Sequence, residues 1–133
     1  MRKVYSHFAN KIIGYMLNTN IQNLIRQGKS FIIGGENNEF IGLLNLNKYD
    51  VDSISNPYGS YGSKYSSKSI WNRYGIYGSP YAAYSAFNPY TISAPKIYLH
   101  GILYGHLTKN KYLSNIVDPD QINDWMTDNQ LYL

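Results

Sequence analysis

Asp50 and Asp52 stand two positions apart, and Asn56 follows in the same short segment. Oxygen ligands at that density suit a hard cation such as Ca²⁺. A calcium loop also needs further alternating acids, a central Gly and a closing bidentate Glu, and these are missing here. The competing role is local: Asp50 and Ser53 bond nearby backbone, as do Ser66 and Ser69 sixteen residues on. His7, His100 and His106 are enough imidazoles for zinc, yet no helical or hairpin spacing brings them together. With no Cys there is no disulfide, thiol nucleophile or thiolate ligand. Nucleophile elbows, phosphate loops and dinucleotide fingerprints are absent. Glu36 and Glu39 flank a turn, where solvated acids are ordinary. The expectation is a non-catalytic protein with no cofactor. The enzymatic alternative is a small hydrolase whose active site is assembled only by folding, with Asp50 or a His meeting a Ser in a deep cleft.

Aromatic side chains are the richer resource. Fifteen of the 133 residues are Tyr, while only 15% are charged, against roughly 25% in an average soluble domain. Ring faces beside Asn, Ser and Asp suit a polysaccharide. Beside Lys64, Lys68 and Arg73 they suit the bases and phosphates of a single-stranded nucleic acid, although no RNA-binding signature accompanies them. Self-assembly is a third use, because a stack without polar caps is an open interface. Tyr61, Trp71 and Tyr77 are the candidate ligand-binding residues, either constant in placement or enlarging a repeated position.

What must hold these rings is a tandem repeat. Residues 48–95 divide without gaps into KYDVDSISNPYGSYGS, KYSSKSIWNRYGIYGS and PYAAYSAFNPYTISAP. Tyr49/Tyr65/Tyr81, Ser53/Ser69/Ser85, Asn56/Asn72/Asn88 and Tyr58/Tyr74/Tyr90 are identical in all three. The third block loses both glycines, as a terminal unit does. Asn-Pro starts turns because the Asn side chain bonds nearby backbone. Ordered, stacked turns are therefore expected, with equivalent Tyr rings forming buried ladders. The run NPYGSYGSKYSSKSIWNRYGIYGS resembles repeats in uncharacterised bacterial proteins with NPYGxYGSxYSxxSI-type units, over about residues 40–118. That resemblance implies no activity and assigns no functional residue. Arg73 departs from it by replacing a Pro.

Outside the blocks, Phe40-Ile41-Gly42-Leu43-Leu44 matches Leu103-Tyr104-Gly105-His106-Leu107, and Ile12-Ile13-Gly14-Tyr15-Met16 matches both. Each follows a short apolar segment and a turn, which reads as three β-hairpins. Residues 4–17 also fit a helical stripe; the likeness to the later copies favours strands. The shared Gly marks a bulge or a close approach by another group. Both faces of the hairpins are apolar, so cover on both sides is expected. Residues 20–27 read as a short helix stopped by Gly28. A second runs from 119 to about 128, capped by Asp118 with Pro119 at its first position.

The chain is thus read as one mainly β domain over 1–133: two hairpins in 1–47, the stacked triple repeat in 48–95, a hairpin in 96–117, and a C-terminal helix and tail in 118–133. Net charge is +4, with bases gathered before residue 30 and acids after 112. Met1-Arg2-Lys3 resembles a signal-peptide start, but His7, Asn10 and Lys11 interrupt the apolar stretch. No membrane span is expected, and the compartment stays open between cytoplasm and export by another route. The expected partners are further copies of the chain, another protein or a polysaccharide, with single-stranded nucleic acid as the alternative.

Overall fold

The computed structural model describes residues 19–133. They form a mainly β structure with one five-stranded mixed sheet and two short helices, the second at the C-terminus. The strands or helical stripe expected over 4–17 lie outside the described residues. In chain order the elements are helix α1 (Thr19–Arg26), strands β1 (Phe31–Gly34), β2 (Glu39–Leu43), β3 (Lys96–Leu99), β4 (Ile102–Leu107) and β5 (Ile116–Val117), a 3₁₀ turn (Pro119–Gln121), and helix α2 (Ile122–Asp128). The sheet order is β2-β1-β3-β4-β5, antiparallel except for the β4–β5 pair.

Gly28 ends α1 for a geometric reason. Its φ is +67°. Its N–H donates to the Ile25 carbonyl at 3.1 Å, and the Lys29 N–H reaches the Leu24 carbonyl at 3.0 Å. Those two bonds satisfy carbonyls that a helix end otherwise leaves open, and Gly adopts the required conformation without strain. The helix expected from 119 opens instead as the 3₁₀ turn, which Asp118 caps by accepting from the Asp120 N–H at 2.9 Å; α2 itself begins at Ile122 with no side-chain cap. Lys109 holds Asp118 at 2.7 Å and also binds Asp120, tying the exit of β4 to the start of this segment. No helix among the described residues is long and apolar enough to cross a membrane.

β1 is buried on both faces because strand side chains alternate. Phe31 and Ile33 meet Ile21 of α1, with Leu24, Ile25 and Phe40 beside them. Ile32 belongs to the opposite core, shared with Ile41, Ile97 and Leu107, with Ile54, Ile70 and Ala86, and with Ile122 and Met126 of α2. The cover expected over the whole sheet stops at β4. Ile102 is 72% and Leu103 56% exposed, since only the far end of that strand, at Leu107, enters the core.

Gly42 and Gly105 stand where register shifts. β1 and β2 slip between Phe31 and Ile33, and β3 and β4 between Ile97 and Tyr98. Gly42 has φ +135°, and a Cβ there would lie 2.5 Å from Ile54 Cγ2 and 3.1 Å from Tyr61 Cβ. The first block therefore presses directly on β2. At Gly105 the close neighbour is the Asn115 backbone instead.

Between β2 and β3 the backbone advances by successive turns, touching the sheet through an isolated Leu43–Ser53 bridge. The N–H groups of Asp50, Ser53, Asn56 and Gly59 each donate to the carbonyl three residues back, at 3.1–3.2 Å. The next step spans four residues, with the Ser63 N–H reaching the Gly59 carbonyl at 3.0 Å. The series then restarts through Ser66, Ser69, Asn72 and Gly75, and takes its next long step from Gly75 to Ser79. Four three-residue steps and one four-residue step together span sixteen residues. A short polar side chain opens nearly every step, because it can accept from the N–H two residues on and lock the turn.

Asn56, Asn72 and Asn88 make a matched pair of bonds. Each carboxamide oxygen accepts from a Tyr N–H, at 2.9, 3.0 and 3.0 Å. Each Nδ2 donates to the carbonyl six residues back, at 3.2, 3.1 and 3.0 Å. Ser53, Ser69 and Ser85 are fully enclosed, beside buried Ile54, Ile70 and Ala86. Trp71 links adjoining blocks: its indole N–H donates to the Ile54 carbonyl at 2.8 Å, and its ring lies 6.1 Å from that of Phe87.

Candidate binding surface

Seven turns share one local pattern: Asn or Ser, then Lys, Arg or Pro, then Tyr. The cap residues are Asn47, Asn56, Ser63, Asn72, Ser79, Asn88 and Asn110, and each side-chain oxygen accepts from the Tyr N–H two residues on at 2.9–3.2 Å. Pro presets the turn dihedral at the middle position. Lys or Arg there adds charge beside the ring. The tyrosines so placed are Tyr49, Tyr58, Tyr65, Tyr74, Tyr81, Tyr90 and Tyr112, all between 81% and 98% exposed.

This placement corrects the expectation of buried Tyr ladders. Ser53, Ser69 and Ser85, with Ile54, Ile70 and Ala86, occupy the inside of the turns. The rings therefore stand outside. Among the described residues, none of the seven stacks on another aromatic ring. Lys48 and Lys64 fold over the rings of Tyr49 and Tyr65, at 5.4 and 5.3 Å from their centroids. Exposing this much aromatic surface forgoes burial that a Tyr normally gains.

The three residues singled out from the sequence are not gathered on one face. Tyr77 is 2% exposed and belongs to the core. Its hydroxyl donates to Glu39 Oε1. Burial, then the bond to Glu39 and the charge of that carboxylate, push its ionisation far above the ordinary phenol value. Tyr61 is half-buried, edge-on to Phe40 at 4.9 Å and 81°. Burial raises its pKa, nearby Lys68 opposes this, and Asp52 and Glu39 add to it. Trp71 is half-buried against Phe87.

The Tyr77 environment predicts an alkaline effect. A phenol raised in the folded state stabilises fully below its unfolded pKa of about 10, and that contribution is lost as pH rises above it. Tyr77→Phe cannot lose it. Urea midpoints of wild type and variant, measured between neutral and strongly alkaline pH, should therefore draw together as pH rises past that value. A gap that stays constant would contradict the Tyr77 assignment.

The cation-ligand candidates serve local turns. Asp50 Oδ1 accepts from the Asp52 N–H and Oδ2 from Asn45 Nδ2, both at 3.0 Å. Asn56 is committed to the Tyr58 N–H and the Asp50 carbonyl. His106 Nδ1 meets the Ser114 carbonyl at 2.9 Å, the His100 backbone N–H donates to Ser30 Oγ at 3.0 Å, and His7 lies outside the described residues. Among the described residues, no three His, Cys, Asp or Glu gather as a metal site. No protein-family model matches the chain, and no curated protein or solved structure matches it.

The signal for the seven exposed rings was present in the sequence. It is the recurrence of Asn/Ser-Lys/Arg/Pro-Tyr, including the copy at Asn110-Lys111-Tyr112 outside the strict period.

Proposed function

We propose that the chain is a non-catalytic binding module in which antiparallel strand pairs frame a stacked sixteen-residue triple repeat, and the repeat presents tyrosines to an extended partner. The observation that carries this reading is the set of seven exposed tyrosines, each on a side-chain-locked turn. Rings held on rigid turns lose little entropy on binding, and an aromatic face contributes large contact area per side chain. Two sets recur at the block period, Tyr49/Tyr65/Tyr81 and Tyr58/Tyr74/Tyr90, which suits a ligand that itself repeats. Against the catalytic alternative, Asp50 is committed to Asn45 and the Asp52 N–H, and His106 Nδ1 meets the Ser114 carbonyl.

Replacing Tyr58, Tyr74 and Tyr90 together with Ser tests the reading. The variant should melt close to wild type, because the three side chains are at least 87% exposed and surface changes typically cost within about 0.5 kcal/mol each. Wild type should co-sediment with at least one insoluble polysaccharide (cellulose, chitin or peptidoglycan) or self-associate in analytical ultracentrifugation. The variant should lose that behaviour. A wild-type protein that stays monomeric and binds none of them, or a variant that binds equally well, would contradict the proposal.

A second reading is favoured by one feature. Lys48, Lys64, Arg73 and Lys111 directly precede exposed tyrosines, and none forms an ion pair with another described residue. Cations alternating with rings suit single-stranded nucleic acid. Its mark would be oligo-dT binding that weakens steeply with added salt.

A further inference from the structure

A groove of about 540 Å³ opens beside Tyr61, between α1, β2 and the first two blocks. That volume lies in the ~300–1,000 Å³ range of small-ligand sites. On one wall, Asn20, Asn23 and Gln27 fall at i, i+3 and i+7 along α1 and its closing turn, which aligns three carboxamides as a stripe. Among the described residues, no partner holds these three side chains. The opposite wall carries Glu39, Asp52 and Lys68, and the rings of Phe40 and Tyr61 supply the aromatic surface.

The charge balance selects the ligand. Lys68 is already paired with Glu39 at 3.3 Å, which leaves Asp52 as the unspent charge in the groove. A phosphate or sulfate would meet that carboxylate, and among the described residues lining the groove no free cation offsets it. A neutral polyhydroxyl compound meets no such cost. Carboxamides offer a donor and an acceptor side by side, which matches neighbouring hydroxyls, and carboxylate oxygens accept from further hydroxyls. A ring face suits the C–H face of a sugar.

From this combination we propose that the groove is a subsite for one pyranose unit of a neutral glycan. It is independent of the exposed tyrosine array, and its residues are different. The open walls and the single half-buried tyrosine point to weak binding, so that affinity for a whole polymer would come from many subsites together.

The test is a ¹⁵N NMR titration of the full chain with chitotetraose, cellotetraose and maltotetraose into the millimolar range. At least one should give saturable shifts at Asn23, Gln27 and Tyr61, with none at Tyr58 or Tyr74. Asn23→Ala/Gln27→Ala alters only exposed side chains and should fold normally while weakening binding about tenfold or more. Tyr61→Ala should do likewise, and if it fails to fold, the carboxamide variant decides alone. The Tyr58/Tyr74/Tyr90→Ser variant should bind the tetrasaccharide as wild type does, which separates this site from the tyrosine array. No saturable shift with any of the three sugars, shifts confined to the exposed tyrosines, or an Asn23→Ala/Gln27→Ala protein that binds normally would overturn the proposal.

Discussion

Gly78→Ala should destabilise the protein by about 3 kcal/mol or more, a loss of roughly 10 °C in melting temperature for a chain of this size. A Cβ at this position would lie 2.5 Å from the Ile70 carbonyl oxygen and closer still to that of Asn72. Both obstacles are backbone, so no side chain can swing aside. The Asn72 carbonyl also accepts the Gly75 N–H at 3.1 Å, and moving it would break the turn it closes. Gly62 is in the same position relative to Asn56, whose carbonyl carbon would be 2.5 Å from the added atom. Gly75→Ala is the control. Its nearest obstacle is the Asn72 side chain at 3.2 Å, and the entropy gained by removing a Gly offsets part of the contact. That variant should stay within about 1 kcal/mol of wild type. Thermal melts of the two proteins would settle the matter, and equal losses would mean that the chain does not cross itself at Gly78.

Asn72→Ala should cost about 2 kcal/mol, with Asn72→Ser near half of that. The alanine removes both bonds of the residue: the one from the Tyr74 N–H at 3.0 Å and the one to the Ser66 carbonyl at 3.1 Å. A typical net value is about 1 kcal/mol per bond, with more where a group is left buried and unpaired. Serine retains the first bond, as Ser63, Ser66 and Ser69 already do at their own turns. It is too short to reach six residues back. Asn56 and Asn88 make the same bonds, so the ranking Asn, Ser, Ala should repeat there in urea titrations. A serine variant as stable as wild type would show that the longer bond contributes nothing.

How far the sequence could be read depended on whether a feature was local. The stop at Gly28, the cap at Asp118 and the register slips near Gly42 and Gly105 depend on a few neighbouring residues, and all were visible from residue type and spacing. The sequence also carries a sixteen-residue period. What it builds was harder to see, because a period does not say which side chains turn inward. Tyr rings were expected to form buried ladders. The reverse holds: Ser69 is fully buried while Tyr74 is 98% exposed. The turn mechanism explains it, since a Ser or Asn that locks its own turn must fold its side chain back onto backbone. The same reasoning accounts for Tyr61, Trp71 and Tyr77. They were selected as prominent aromatics of the repeat, but each has a specific packing partner in Phe40, Phe87 or Glu39. The groove beside Tyr61 was not legible at all, because it joins residues from α1, β2 and two blocks.

The most direct measurement is the rate at which each tyrosine is nitrated in dilute, folded protein, read by peptide mass spectrometry. Tyr49, Tyr58, Tyr65, Tyr74, Tyr81, Tyr90 and Tyr112 should react rapidly while Tyr77 is protected until the protein unfolds. Similar rates at Tyr77 and Tyr74, or protection across the seven, would contradict an outward-facing array on locked turns.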